Sequence, residues 1–280
     1  MAYEQPELNE ELSEFFTKLW TIDDNKCLAG VDYELDLQGF VKSARSISKK
    51  DWARRDLFAY VNEQVFDRPT YRTFRDLLDN YETETGTKET LTEDELEENV
   101  RFIDAIMETD VMKESHKFLV EKALAPEEEY HFKRLLYSIW FRFYKRMRED
   151  RNLDSSGFEH VFVGETREKS VIGFHNWIQF YLQEKRGNID YKGYFRRGTG
   201  KEDNPRLITI QFTWTKGGGK PIGSSFIGTS PEFEIAIYTI CRLMRLEKTK
   251  VDIDGYMIVL NVHGHGKGIG SAFPIACDDN

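Results

Sequence analysis

The feature that most constrains the fold is a change in the period of the apolar residues near residue 150. Before that point they recur at spacings of three and four, the period of an amphipathic helix. Beyond it the chain contains short apolar runs typical of β-strands, interrupted by two helical segments. Because strands and helices alternate irregularly, the sequence predicts an α+β fold rather than a doubly wound parallel sheet. We expect one domain with two lobes, a mostly helical lobe over residues 1–150 and an α+β lobe over residues 151–280.

The helices of the first lobe are predicted from apolar spacing and from capping residues. Leu8, Leu12 and Leu19 fall on one face of a helix near the start of the chain. Thr92 followed by Glu95 is a capping-box signature, so a second helix is expected to begin near residue 92. A third is expected over residues 126–143, with one broad apolar face. The basic residues predicted on its opposite face are Arg142, Lys145, Arg146 and Arg148.

The second lobe is predicted to hold five strands and two helices. One helix is expected to begin near Gly173 and to end at Gly187, a glycine suited to a helix C-terminus. The other begins with Ser230 as N-cap and Pro231 in the first helical position, and runs to about Met244. The predicted strands cover residues 158–163, 207–214, 222–227, 256–262 and 272–276.

Composition limits the classes of partner and the compartment. The chain has 280 residues, 40% of them hydrophobic, which is enough for a sizeable core. Lys and Arg number 39 against 49 Asp and Glu, so a polyanion would have to bind at a local basic patch. Cys27, Cys241 and Cys277 have no metal-binding spacing and are expected to be reduced thiols. Without a signal-like start or a long apolar run, we expect no membrane association and an intracellular location, cytoplasmic or nuclear, or secretion if a leader was removed.

The glycine-rich stretches do not fit nucleotide-binding motifs. GGGKP lacks the Ser or Thr of a P-loop, GHGKGIG precedes a strand rather than a helix, and IGSSFIG has the wrong spacing for a nucleophile elbow. His263 and His265 form an H-x-H pair without a nearby third ligand, and a loop between two strands is the favoured interpretation. His116 and His131 lie among charged residues and are expected at the surface.

Three residues remain whose chemistry suggests catalysis. His160 and His175 follow glycine and aromatic residues in GFEHVFVGE and GFHNWIQFY, and Lys220 precedes Pro-Ile-Gly-Ser-Ser. Because imidazole titrates near neutrality, one histidine can accept a proton while another donates one. A lysine can stabilise the extra negative charge of a pentacoordinate phosphorus. Spacing alone leaves open the alternative of two unrelated core histidines.

Longer motifs add a resemblance. GFEHVFVGE, GFHNWIQFYLQEKRGNIDYKGY, KPIGSSFIGTSPEFEIAIYT and IGSAFP occur in this order, and LQGF, FRDLLDNYE and FIDAIMETDVMK precede them. Together they resemble the EndoU (XendoU) family, the poly(U)-specific endoribonucleases, over almost the whole chain. The resemblance implies a second lobe of two small antiparallel sheets with packed helices. It also implies cleavage of single-stranded RNA on the 3′ side of uridines, leaving 2′,3′-cyclic phosphate and 5′-hydroxyl ends.

The resemblance assigns catalytic roles to five residues. His175 matches the general base that acts on the 2′-hydroxyl, His160 the general acid, and Lys220 the group that stabilises charge in the transition state. Glu159 and Glu165 match acidic positions needed for activity, where they would orient the histidines or help to bind a divalent ion. The family implies Mn²⁺ or Ca²⁺ as an activator rather than a participant in the chemistry.

The resemblance also implies residues that bind the substrate. Ser224, with its neighbour Ser225, matches the position that reads the uracil edge. Ser271 and Phe273 stand where many members have Thr and Tyr, so the ring is kept and the phenolic hydroxyl is lost. We therefore expect a looser preference for uridine. The local positive field would come from Lys185, Arg186, Lys192, Arg196 and Arg197.

The expected partner is single-stranded U-rich RNA, and the expected state is a monomer. One alternative is a catalytically silent RNA-binding or protein-interaction module with the same fold. Another is a two-metal phosphoesterase, but that class requires clustered Asp and His ligands that the sequence does not display.

Overall fold

Helices dominate the first half of the chain. The computed structural model describes residues 6–43, 45–48, 51–197 and 204–277. Short 3₁₀ turns lie at Glu63–Asp67 and Leu77–Asp79, and strands β1 (Tyr33–Leu35) and β2 (Phe58–Val61) form an antiparallel pair. The helices of this half are α1 (Glu10–Ile22), α2 (Pro69–Asp76), α3 (Glu93–Met107), α4 (Asp110–Glu121) and α5 (Glu129–Trp140).

Capping explains where several helices begin. The Thr92 hydroxyl oxygen accepts a hydrogen bond from the Glu95 N–H, and the Thr92 N–H donates one to the Glu95 carboxylate, so the predicted capping box is confirmed. Asn9 caps α1 through its bond from the backbone of Leu12. In the second half, Ser230 caps the helix that begins at Pro231, also as predicted.

Two sheets dominate the second half. A five-stranded sheet has the order β3-β4-β7-β6-β5, and a three-stranded antiparallel sheet has the order β10-β9-β8. All pairs in the larger sheet are antiparallel except β4 with β7. Its strands are β3 (Glu165–Arg167), β4 (Ser170–Ile172), β5 (Ile189–Arg197), β6 (Leu207–Trp214) and β7 (Gly218–Phe226). The smaller sheet contains β8 (Lys248–Ile253), β9 (Tyr256–His265) and β10 (Gly268–Ala276).

Two helices complete the fold, α6 (Trp177–Lys185) and α7 (Pro231–Leu243). Helix α7 is buried along almost its whole length and packs on α4, while α1 packs on β8. Trp140, Trp177 and Trp214 are among the largest fully buried side chains, and they belong to one continuous apolar cluster. Strand β10 packs on β6 and β7, which brings the two sheets face to face. Within the residues described, no helix is long and apolar enough to cross a membrane.

The predicted strand over residues 158–163 is wrong. Residues Glu159–Val163 form a π-helical turn, closed by a hydrogen bond from the Gly164 N–H to the Glu159 carbonyl at 2.8 Å. Val161, Phe162 and Val163 are all buried, and a short continuous apolar run does not distinguish a buried helical turn from a buried strand. His160 lies in this turn, so the turn rather than a strand sets the direction of its side chain.

Two helix boundaries also differ from the predictions. Helix α6 begins at Trp177 rather than near Gly173, because the backbone of residues 174 and 175 bonds to the π turn instead. Helix α5 ends at Trp140, before the basic residues that were predicted on its outer face. Arg146 therefore lies in a loop, where its side chain turns inward.

Candidate active site

A cavity of about 720 Å³ opens between the two facing sheets. Strand β7 and the π turn supply polar groups to it, and β10 supplies the opposite wall. Two of its apolar walls are Phe195 on β5 and Ile222 on β7. His160, His175 and Lys220 all line the cavity, so the structure brings together three residues that are far apart in the sequence. Its other lining residues are Ile172, Gly173, Thr209, Ser224, Ser271, Phe273 and Ile275.

The two histidines are held together by backbone contacts. The Phe174 N–H donates to the His160 carbonyl at 2.9 Å, and the His175 N–H donates to the Val161 carbonyl at 2.7 Å. Gly173 has φ +63, and a Cβ atom at this position would lie 1.9 Å from the His160 carbonyl oxygen. Only glycine allows the loop to approach the π turn this closely.

His160 is paired with an acid. Its Nδ1 atom bonds to Oε2 of Glu165, and the Glu165 side chain is fully buried. Nε of Arg146 lies 3.1 Å from the same oxygen. Burial raises the pKa of Glu165, but the neighbouring His160 and Arg146 outweigh it and hold the pKa below its usual value. The carboxylate is therefore ionised at neutral pH and orients the imidazole through Nδ1.

Arg146 is a site residue that sequence reasoning missed. Its guanidinium donates to the Gly270 carbonyl at 2.7 Å and to the hydroxyl oxygens of Tyr144 and Ser155 at 2.8 Å each. These contacts join β10 to the loop that follows α5. The apolar period of α5 predicts Arg146 on the solvent face of that helix. No pattern in the sequence indicates that the helix ends at Trp140, six residues before Arg146.

His175 is held by a different group. Its Nδ1 atom lies 2.8 Å from the Ser224 carbonyl oxygen, and its ring stacks on Phe273 with centroids 4.9 Å apart. A carbonyl oxygen only accepts hydrogen bonds, so Nδ1 carries the proton and Nε2 of the neutral ring is an acceptor. Burial and the nearby charge of Lys220 lower the pKa of His175 well below its ordinary value.

The two histidines consequently titrate differently. Burial lowers the pKa of His160 too, but the attraction of Glu165 opposes that effect. His175 has no carboxylate partner among the described residues and is affected more strongly. His160 therefore keeps its proton to a higher pH than His175 does.

Lys220 approaches the same loop from β7. Its Nζ atom donates to the Gly173 carbonyl at 2.6 Å, and its side chain is buried. Burial lowers the pKa of Lys220 to about 8, which the negative charge of Glu165 opposes. The ammonium is therefore charged at neutral pH but not far above it.

The predicted substrate-binding residues divide into two groups. Ser224, Ser271 and Phe273 line the cavity. Ser225 does not belong to its lining, because successive side chains of a strand point to opposite faces and Ser224 occupies the cavity face of β7. A role for Ser225 in substrate binding stays a prediction.

Glu159 lies behind the cavity. Its side chain is fully buried, and both carboxylate oxygens lack a hydrogen-bond partner in the part of the chain that the structure describes. Burial, with the nearby charges of Glu165 and Glu89, raises the pKa of Glu159 well above its usual value. Burial therefore favours the protonated form of Glu159, and its side chain does not line the cavity.

The basic residues expected around the site are mostly neutralised. Lys185 pairs with Glu63, and Lys192 pairs with Asp190. Arg186 lines a separate polar cavity that also contains acidic side chains. The side chains of Arg196 and Arg197 lie outside the described residues.

The other four histidines stay outside the cavity. His263 and His265 lie at the end of β9 rather than in a loop, with His265 stacked on Tyr144 at 4.1 Å between ring centroids. His116 stacks on Phe132, and His131 is an exposed partner of Glu128. None of the four belongs to the cavity lining.

Comparisons with known proteins show which proteins the whole chain resembles. The family described as Endoribonuclease XendoU matches residues 11–274. Poly(U)-specific endoribonuclease-B of Xenopus laevis is 46% identical over 100% of this chain and 98% of its own length. Uridylate-specific endoribonuclease B of Danio rerio is 46% identical over 95% of this chain and 96% of its own. The human uridylate-specific endoribonuclease is 38% identical over 92% of this chain and 63% of its own.

A solved structure agrees as well. XendoU, described as a splicing-independent endoribonuclease that processes snoRNA, superposes with a TM-score of 0.85 at 44% identity, covering 98% of this chain and 100% of that one. The class of the protein is thereby defined as an endoribonuclease. More particularly, the chain belongs to the XendoU family.

Proposed function

We propose that the protein cleaves single-stranded RNA on the 3′ side of uridines, leaving 2′,3′-cyclic phosphate and 5′-hydroxyl ends. The observation that carries this proposal is the convergence of His160, His175 and Lys220 on one cavity between the sheets. In the reaction, the 2′-oxygen attacks the adjacent phosphorus and the bond to the 5′-oxygen of the next nucleotide breaks. One proton leaves the 2′-hydroxyl and one is delivered to the departing oxygen.

His175 is the general base in this scheme. Its Nδ1 atom is occupied by the Ser224 carbonyl, which leaves Nε2 as the acceptor for the proton of the 2′-hydroxyl. The strongly lowered pKa keeps the ring neutral at pH 7. These two features favour His175 over His160 as the base.

His160 is the general acid. Its Nδ1 atom donates to the ionised Glu165, so the imidazolium presents its Nε2–H to the departing 5′-oxygen. Because the pKa of His160 is depressed less than that of His175, a pH interval exists in which the acid is charged and the base is neutral. Arg146 holds Glu165 in place and is a positioning residue.

Lys220 supplies positive charge beside the phosphate. Its ammonium is already oriented by the Gly173 carbonyl, and donors fixed before the reaction stabilise charge that develops in the transition state. A single preorganised donor of this kind is worth roughly 100- to 1,000-fold in rate.

Base recognition is proposed for the wall formed by β7 and β10. The Ser224 hydroxyl can read the edge of uracil, and Phe195 and Phe273 offer aromatic faces on which the base can stack. Phe273 has no phenolic hydroxyl, so the preference for uridine over cytidine would depend mainly on Ser224. A duplex cannot place one base in such a cavity, which favours a single-stranded substrate.

Activation by Mn²⁺ or Ca²⁺ is proposed only on the family resemblance. Within the described residues, no group of three or more His, Cys, Asp or Glu side chains is placed to hold a metal. Glu159 has unpaired oxygens, but burial raises its pKa and disfavours the ionised carboxylate that a metal ligand requires. Glu159 and Glu165 thus do not fit the predicted metal site, and no step of the reaction is assigned to an ion.

The test is cleavage of matched oligonucleotides of uridine, cytidine and adenosine, with Mn²⁺, with Ca²⁺ and with a chelator. We expect oligouridine to be cut fastest, and the new ends to be cyclic phosphate and 5′-hydroxyl. Products ending in 3′-hydroxyl would overturn the mechanism. Tight binding of oligouridine without cleavage under any of these conditions would support the silent RNA-binding alternative.

A further inference from the structure

A basic segment runs beside the cavity, and the reaction scheme makes no use of it. It comprises residues 39–43, 45–48 and 51–55. Three of its cations, Lys42, Arg45 and Arg54, are exposed and form no ion pair with any described residue. Arg55 differs, because it pairs with Asp36 at 2.6 Å. The segment therefore offers three unneutralised cations in a chain with a net charge of -10.

One end of the basic segment is fixed to β5. Phe40 forms a parallel bridge with Tyr194, and the Val41 N–H donates to the Tyr194 carbonyl at 2.8 Å. The next residue of β5, Phe195, lines the cavity. Val41 is therefore bonded to the residue that precedes Phe195, a residue of the cavity wall, and Lys42 follows Val41 directly.

The middle of the basic segment is fixed to β6 and β7 by one buried side chain. The Gln211 amide donates to the Ser46 carbonyl at 3.1 Å and to the Pro221 carbonyl at 3.0 Å, and its oxygen accepts from the Ser48 N–H at 2.6 Å. Ile222, directly after Pro221, lines the cavity and is 51% exposed. The basic segment thus spans from the β5 wall of the cavity to its β7 wall.

Close packing keeps the basic segment in this place. Gly193 of β5 has φ +118, and a Cβ atom there would lie 2.5 Å from the Gly39 carbonyl oxygen. Trp52 packs over the same glycine, since that Cβ atom would be 3.1 Å from the Trp52 Cβ. The cations therefore project from a fixed surface, which lowers the entropic cost of binding an extended ligand.

The exposed groups match the chemistry of a single RNA strand. Lysine and arginine neutralise phosphates, and an exposed aromatic ring is a platform for base stacking. Phe40 is 52% exposed and stands edge-on against Tyr194. Of the basic residues that were expected to attract RNA, Lys185 and Lys192 are already paired with acids.

From these contacts we infer that the basic segment binds the phosphates of nucleotides flanking the one that is cleaved, with Phe40 as a stacking platform. The ligand class is single-stranded RNA longer than the cavity can hold. This inference rests on the proposed ribonuclease function, but it concerns substrate affinity and not the chemical step. It assigns Lys42, Arg45 and Arg54 to the binding of long substrates alone.

The test compares one triple variant with a matched control. Lys42→Gln, Arg45→Gln and Arg54→Gln together remove three charges from the basic segment. The control removes three charges elsewhere, through Arg72→Gln, Lys88→Gln and Lys117→Gln, at exposed residues that do not line the cavity. Both are measured for cleavage of the dinucleotide UpU and for binding of a long oligouridine in which every 2′-hydroxyl is removed.

The loss of affinity is expected for the long oligonucleotide only, and it should be largest at low salt. The first variant should bind the long oligonucleotide several-fold more weakly than the wild type, with an unchanged rate on UpU. Each phosphate contact to a single strand contributes about 0.7 to the slope of log affinity against log salt, so the slope should become shallower by about 2. Phe40→Ala should weaken binding without changing that slope, because the ring carries no charge.

Two results would overturn the inference. Equal affinity and equal slope in the triple variant and its control would exclude the basic segment as the phosphate site. An equal loss on UpU and on long RNA would place the defect in the cavity. If the wild type failed to cleave any RNA, the proposed function would fail, yet the binding comparison would still decide whether this surface holds RNA.

Discussion

His160 and Glu165 form a hydrogen-bonded pair in which the carboxylate is fully buried and the imidazole faces the cavity. His160 belongs to the five-residue π turn Glu159–Val163, which closes at Gly164, and Glu165 begins β3 directly after it. The acid that orients the histidine therefore comes from the next element of the chain.

Glu165→Gln should lower the rate of oligouridine cleavage roughly 100- to 10,000-fold, the range for loss of effective general acid catalysis. The glutamate raises the pKa of His160 against the effect of burial, so its removal lowers that pKa further. The basic limb of the pH–rate profile should then move to lower pH. Glu34→Gln, at an exposed position of β1, is the control and should leave both quantities unchanged. An unshifted basic limb would show that Glu165 does not act through His160.

Lys220→Met should lower kcat/KM on oligouridine roughly 100- to 1,000-fold, because a preorganised donor to the transition state is lost. The pKa of Lys220 is lowered to about 8, so its charge is present below that pH and disappears above it. Above the basic limb that His160 sets, wild-type activity should therefore fall more steeply as the pH rises through about 8, and this additional fall should be missing in the variant. Lys216→Met, at an exposed turn, should behave as the wild type. A variant that keeps the wild-type rate would remove Lys220 from the scheme.

Gly173→Ala should abolish most activity, and Gly187→Ala should not. Both glycines have positive φ, +63 and +71, so both substitutions incur a similar backbone cost of about 1 kcal/mol. At Gly173 the new Cβ would meet the His160 carbonyl oxygen at 1.9 Å, whereas nothing lies within 4 Å at Gly187. Unfolding midpoints and cleavage rates of the two variants separate the clash from the backbone cost. Equal activity in both would contradict the close approach of the loop to the π turn.

Glu232→Gln should stabilise the protein at alkaline pH and leave it unchanged in acid. Burial, with the nearby charge of Asp23, raises the pKa of Glu232 to about 7, and burial raises that of Asp23 to about 6. A raised carboxyl pKa contributes stability that is fully present below the unfolded value near 4 and is lost as the pH rises through about 6 to 7. Glutamine keeps the bond from Asn25 but cannot ionise.

Thermal unfolding at about pH 3.5, below the unfolded value, and at about pH 8 measures this effect. The Glu232→Gln variant should melt a few degrees above the wild type at the higher pH, since each kcal/mol shifts the midpoint by about 2–4 °C in a chain of roughly this size. Glu247→Gln, at an exposed position, should change neither midpoint. A destabilised variant at pH 8 would mean that the charged form of Glu232 supports the fold.

The sequence predicted those helices and strands whose capping residues or apolar alternation lie within the element itself. The capping box at Thr92 and the Ser-Pro start of α7 were predicted correctly, because the residues that terminate those helices sit beside them in the sequence. The strand over residues 207–214 was predicted with its bounds. Strands β5 and β8 were missed, since charged residues interrupt their apolar positions.

The site depended on contacts between distant residues, which no local pattern reports. His160, His175 and Lys220 could be chosen from their chemistry and motifs, but their meeting requires the closure of the loop at Gly173 on the π turn. Arg146 was missed because the end of α5 carries no stop signal. The raised pKa of Glu159 also follows from burial, which its position in the sequence does not indicate.

The most direct test of the catalytic scheme is cleavage of an oligodeoxynucleotide that contains a single ribouridine. We predict that the wild type cuts only after that nucleotide, and leaves a 2′,3′-cyclic phosphate. His160→Ala and His175→Ala should each be slower by roughly 100- to 10,000-fold, as expected for the loss of one proton-transfer group. Cleavage of the all-deoxy strand, or undiminished cleavage by both variants, would contradict attack by the 2′-hydroxyl between these two histidines.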